Sequence, residues 1–247
     1  MDSNILMSVD CSTKTPAVQW TRTNRLVGRW NRKLSPQNTV SESSTLQRTQ
    51  TRERILEAAE TVFADNGYHD ALIDEIGKRT SMSKGGLYFH FPSKEDLFFA
   101  VMDRLANKLV RRAEKAAGKA ESPLEAAEAA LDAVLSALSV QKRLARLLIT
   151  QGYSMGNAFE AKRAEMFDRF AGVIKKHLDE AARARQIDQI DTDLASRVWL
   201  GAVNEVVVHW LFSGGTTPKN AAPDLKKFLV QSVMPSERAE LDEVKIS

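Results

Sequence analysis

From Gln47 to Val233 the apolar residues recur at spacings of three and four, and no stretch alternates with the period of two that a half-buried strand needs. A chain with this pattern has to fold as helices packed on helices. The first segment carries Ile55, Ala59, Val62 and Phe63 on one face, which places a helix over about 48–66, and Asn66-Gly67 ends it with a pair that tolerates left-handed backbone. Leu72, Ile73 and Ile76 then mark a helix of about two turns ending near Thr80-Ser81. Ser83 offers a hydroxyl cap to a second short helix, Lys84 to His90, which Pro92 closes.

The longer elements follow from their caps. Ser93 with Asp96 three residues on opens a long helix whose apolar face is Leu97, Phe98, Val101, Met102, Leu105 and Leu109. Ser122-Pro123-Leu124-Glu125 combines a cap, proline at the first helical position and a carboxylate at the third, and opens a helix of about 123–139. Further helices are expected at about 142–152, 157–185, 191–213 and 222–233, separated by Gly152, Gly156, the Gln186–Asp191 turn and Gly214-Gly215. The reading is all-α, with about nine helices: an N-terminal three-helix unit and a larger C-terminal bundle.

Residues 1–45 lack either period, contain Pro16 and Pro36, and hold six Lys/Arg against three acids; we read them as an unfolded basic arm. Beyond that arm no segment is strongly basic, so contact with nucleic acid has to rest on a few placed cations or on the arm itself. Cys11 is the single cysteine among 247 residues, which excludes an intramolecular disulfide and a thiolate zinc cluster. No run reaches the ~18 apolar residues of a membrane span, and the N-terminal stretch has no signal-peptide core, so a soluble, cytoplasmic protein without membrane partners is expected.

Two short helices joined by a tight polar turn, behind a longer packing helix, are the pattern of a helix-turn-helix, which lays its second helix in the DNA major groove. Helical hairpins alone are common in proteins that never touch DNA, but the residues add to the pattern. With Gly67-Tyr68, then Ile73 and Ile76, then the run from Ser83-Lys84 through Tyr88, Phe91 and Lys94 to Leu97, residues 47 to about 100 resemble the N-terminal domain of the tetracycline-repressor (TetR) family of bacterial transcription regulators. The remainder agrees with that family in helix number and length.

The resemblance implies that Ser83 and Lys84, at the start of the recognition helix, contact groove and phosphate, where free N–H groups and the positive dipole end also favour anions. Gly85 and Gly86 let that helix approach the bases. Tyr88 and His90 match positions that reach the DNA backbone, Lys94 matches a phosphate-contacting lysine, and Thr51 and Arg52 are further phosphate candidates. Tyr88 as a core aromatic, and Lys84 and Lys94 as solvated surface lysines, stay open as alternatives; Leu87 and Phe91 are assigned to the core, and His69 and His177 to the surface. Four positions depart from the family pattern. Ala71-Leu72 replaces a hydroxyl pair, with Asp70 as a substitute cap; Ser81 stands where the turn usually has glycine, a positive-φ cost of about 1 kcal/mol; Gly86 replaces a larger residue.

Helix 191–213 is apolar almost all round, from Leu194 through Trp199 and Val207 to Phe212, so it has to be buried on more than one side. One side can face its own core, and Gly201 and Ala202 suit close approach of a second copy, with the last helix completing a four-helix interface. The resemblance places an effector pocket in the same half, for which Phe159, Phe167, Phe170 and Trp199 are candidate linings or plain core. Glu205 and His209 lie one turn apart, but without a third ligand they read as an ion pair rather than a metal site.

The expected organisation is an arm (1–45), a DNA-binding unit (46–95), an effector and dimerisation unit (96–235) and a tail (236–247). The expected function is that of a homodimeric regulator, a repressor, that binds a palindromic operator. A largely apolar molecule, of an acyl or small aromatic type, releases it. No metal or cofactor is expected. A sequence-neutral DNA binder using the arm, and a helical enzyme built on Glu205 and His209, are the competing classes; no nucleophile motif or phosphate-cradling loop accompanies the second.

Overall fold

A computed structural model describes residues 39–150 and 156–235. Among these residues there are nine helices and no strand: α1 (Thr39–Asp70), α2 (Ile73–Thr80), α3 (Lys84–His90), α4 (Lys94–Ala117), α5 (Pro123–Val140), α6 (Lys142–Thr150), α7 (Asn157–Arg183), α8 (Thr192–Ser213) and α9 (Pro218–Gln231). Most of the basic arm, with Cys11, and the tail after residue 235 lie outside the described residues. The chain from Ser43 onward forms one compact unit.

Helix ends fall where the local chemistry directs them. Gly67 (φ 79°, ψ 177°) breaks α1 from its last turn, a conformation that a side chain would strain. The hydroxyls of Ser83, Ser93 and Ser122 accept from the N–H groups of Gly86, Asp96 and Glu125, each meeting one of the orphan donors of a helix start. Asp191 caps α8 twice, through the N–H groups of Asp193 and Leu194. Gly214 ends that helix in the left-handed region (φ 68°).

Four expectations need correction. α1 begins at Thr39 rather than near 48, because its first turns are polar and carry no apolar period. α2 starts behind Leu72 with no side-chain cap, so Asp70 does not substitute for the missing hydroxyl. α9 begins at Pro218 rather than at about 222, with Thr217 accepting from the Asn220 N–H at 3.3 Å, and Pro223 sits inside the helix. His177 is 8% exposed rather than on the surface. It faces inward beside Leu178 on α7, and its polar atom is met by Glu180, whose Oε2 lies 3.3 Å from Nδ1.

One core runs from α1 through α4 into the bundle. Ile55, Val62 and Phe63 pack with Ile76, Leu87, Phe91, Phe98 and Met102, and the same cluster continues to Met166, Val207 and Trp210. Phe63 and Phe98 meet edge to face at 5.2 Å. A second cluster, around Leu135, Leu178, Trp199, Val203 and Leu229, joins α5, α7, α8 and α9. The unit containing α1–α3 is therefore continuous in packing with α4, and a change in the bundle has a dry, close-packed route to it.

Candidate nucleic-acid interface and ligand cavity

The turn between α2 and α3 is set by close backbone approach. A Cβ placed on Gly77 would lie 2.8 Å from the Met82 carbonyl oxygen, and the Met82 N–H donates to the Gly77 carbonyl at 2.9 Å. Ser81 holds the left-handed conformation (φ 57°) that its place in the turn implied. Thr80, buried, turns its hydroxyl onto the Ile76 carbonyl, and Arg54 of α1 donates to the Thr80 carbonyl at 3.2 Å. The C-terminus of α2 is thereby fastened to α1.

On α3, Leu87 faces the core, as does Phe91 just past the helix end, while Lys84, Gly85, Tyr88 and Phe89 face outward. Nothing lies within 4 Å of where a Gly85 side chain would begin. Tyr88 is exposed, so it is not a core aromatic. The Lys84 ammonium lies 3.7 Å from Asp74 of α2, and both side chains are mostly in solvent, a pair weak enough to exchange for a phosphate.

The start of α1 completes this face. Arg52 donates to the His90 carbonyl at 3.1 Å and stacks its guanidinium 4.1 Å from the centre of the Phe91 ring. Arg48, one turn earlier, lies 5.4 Å over the Phe89 ring, which is 71% exposed. Burial first, and then these two cations, hold the His90 imidazole below the usual histidine range. The Thr51 hydroxyl is spent on its own helix, donating to the Gln47 carbonyl at 2.9 Å. Lys94 is half-buried, and its ammonium donates to the His69 carbonyl at 2.8 Å above the Tyr68 ring. Sequence reasoning passed over Arg48 and Phe89. The i, i+4 spacing of Arg48 and Arg52 was the available signal for the first; Phe89 carries none, since an apolar residue in a short helix reads as core.

Behind this face, α4, α5, α6, α7 and α8 line a partly open cavity of about 90 Å³ walled by Leu109, Val134, Met166, Phe167, Phe170, Val203 and other apolar side chains, with Asn204 the polar group on its wall. Phe167 and Phe170, two of the four aromatic candidates, line this cavity. Phe159 and Trp199, fully buried, lie in the packed cores instead, away from the wall. The Trp199 indole N–H has no hydrogen-bond partner among the described residues. The His209 ring packs against Gly215, where a Cβ would meet it at 2.5 Å, and no group of three potential ligands for a metal occurs among the described residues. No described helix is long and apolar enough to cross a membrane.

A capped second helix flanked by arginines, joined through α4 to a helical bundle with an apolar cavity, is the geometry of a helix-turn-helix DNA-binding unit carried on a helical C-terminal half. Residues 55–101 match the model for bacterial regulatory proteins of the tetR family. It is 23% identical over 163 residues to the fatty acid metabolism regulator protein of Bacillus subtilis (strain 168), covering 65% of this chain and 83% of that protein. Against the HTH-type transcriptional activator FasR of Mycolicibacterium smegmatis it is 48% identical over 65 residues, 26% of this chain and 30% of that one. In fold it resembles the FadR regulator from Bacillus subtilis in complex with stearoyl-CoA, with a TM-score of 0.66 at 21% identity over 72% of this chain and 97% of that one.

Proposed function

We propose that this chain is a cytoplasmic, ligand-responsive transcription regulator, not an enzyme. It binds a palindromic operator as a homodimer and is released by a largely apolar molecule. The observation that carries the reading is the cavity, walled by apolar side chains and bounded by α4, whose first residue is tied to the reading unit. A ligand that swells the cavity presses on the helix that positions α3. Acyl-type effectors are favoured over small aromatics by the similarity to a fatty acid metabolism regulator and to a fold neighbour solved with stearoyl-CoA.

On this reading Lys84, Arg52 and Arg48 meet phosphates, Ser83, Gly85, Gly86 and Tyr88 lie at the groove, and His90 and Lys94 sit at its edge. Thr51 contributes through its backbone position, since its hydroxyl already has a partner. Dimerisation is supported by a solvent-facing apolar strip on α8 and α9, with Leu194, Val198, Phe212 and Phe228 all more than half exposed; so large an apolar surface on a monomer calls for a partner. Selection of bound fragments from a random DNA pool, followed by footprinting and sedimentation, tests the reading. A two-fold symmetric site protected by a dimer is the expected result; indifference to sequence overturns it.

A further inference from the structure

α3 points one large side chain straight away from the core, and that side chain is apolar. At about 100° of turn per residue, Gly85 and Phe89 each stand about 200° from Leu87, on either side of the point opposite it. Leu87 is 2% exposed and Phe89 71%, and nothing lies within 4 Å of where a Gly85 side chain would begin. The outermost face of the helix is therefore a bare glycine followed, one turn on, by a phenyl ring. Phe89 belongs to none of the apolar clusters among the described residues, so the ring contributes nothing to the core.

Two neighbours fix the direction of that ring. The Arg48 guanidinium of α1 lies 5.4 Å from its centre, and the His90 imidazole meets it edge to face at 5.4 Å. A guanidinium stacked through its face keeps its N–H edge free for a phosphate, so Arg48 can brace the ring and meet the DNA backbone at once. A ring held in one direction while still in water loses little freedom when a partner arrives, and that preorganisation favours binding.

Resting on the reading of a helix-turn-helix regulator, we propose that Phe89 selects the operator by packing its ring on the 5-methyl group of a thymine in each half-site, with Arg48 as the residue that positions the ring. In the major groove the base pairs present donors and acceptors, which a phenyl ring cannot satisfy, and one apolar group, the thymine methyl. A guanine or cytosine edge pressed against the ring would have polar atoms stripped of water and left without a partner. The missing side chain at Gly85 lets the helix come close enough for the ring to reach the methyl. What is recognised is the methyl on C5 of a pyrimidine, so 5-methylcytosine presents the same group, while cytosine and uracil lack it.

The test uses the full chain and a labelled fragment selected from a random DNA pool, in which each thymine is replaced in turn by deoxyuridine, a change that removes the methyl and keeps the pairing. At one symmetric pair of thymines the replacement should weaken binding about fifteenfold, or about fourfold for each half-site, the worth of one buried methyl. At the same positions 5-methylcytosine opposite guanine should bind about fourfold per half-site better than cytosine. Phe89→Ala, at an exposed side chain, keeps the helix content measured by circular dichroism and should bind the thymine and deoxyuridine fragments equally. Arg48→Lys keeps the charge without the stacking, so affinity for random DNA should hold while the methyl discrimination shrinks; undiminished discrimination overturns the bracing role. A loss under about twofold at every deoxyuridine position, or a Phe89→Ala variant that still discriminates, overturns the methyl contact and leaves the regulator reading standing. A pool that yields no preferred sequence overturns the regulator reading itself.

Discussion

The Lys94 ammonium donates to the His69 carbonyl at 2.8 Å, pinning the first residue of α4 to the turn that follows the break at Gly67. Burial pushes this lysine below its usual range, and Asp70 pulls it back. A cation so engaged holds the reading unit together whether or not it also reaches phosphate. Lys94→Ala should lower stability by about 0.5–1 kcal/mol and weaken operator and random DNA by similar factors, because neither role reads a base. Thermal melting and paired affinity measurements check this; a selective loss on operator alone contradicts it.

Lys84 faces solvent on α3 with Asp74 as its partner. Lys84→Ala should weaken DNA binding and also shift base preference, because the residue lies on the groove-facing helix. Asp74→Asn removes an anion from the same face and frees the lysine, so affinity should rise about threefold in low salt, with the gain shrinking as salt screens the phosphates. A salt series on both variants measures the difference.

His90 sits below its ordinary pKa because of burial and then the Arg48 and Arg52 cations. The fold favours the neutral ring, so its contribution to stability is present above the unfolded histidine pKa and is lost as pH falls through the lowered value. Phosphates that neutralise the two arginines make protonation easier, so DNA affinity should instead increase as pH falls through that window. His90→Gln should flatten both dependences, as read by melting and by polarisation between about pH 8 and 5.5.

Val198→Arg places a charge in the apolar strip shared with Leu194 and Phe212. The helix content should persist, while self-association weakens by at least about 100-fold, or nearly 3 kcal/mol, and operator binding fails with it. Sedimentation and circular dichroism separate loss of the dimer from loss of the fold.

Phe170 lines the cavity and Trp199 does not. Phe170→Ala should change ligand response at a stability cost of about 1–2 kcal/mol, with operator affinity of the free protein nearly intact, whereas Trp199→Ala, at a fully buried side chain, should cost about 3–5 kcal/mol. Denaturant titration distinguishes the two; equal costs would mean that Phe170 is also closed core.

What the amino-acid order determined was whatever acts within a few residues. Ser83, Ser93 and Ser122 cap the N–H group three positions on, Gly67 breaks α1, and Ser81 takes the left-handed turn, because each depends on bonds along its own segment. The TetR-like reading head was legible for the same reason. Local chemistry also misled: the polar first turns of α1 look like coil. Tertiary structure alone decided the rest. His177 and Trp199 are inward because of the helices packed over them, and Lys94 turns back onto a carbonyl 25 residues away. Glu60 meets Lys108 only because α1 crosses α4, a pairing 48 positions apart that no period in the sequence encodes.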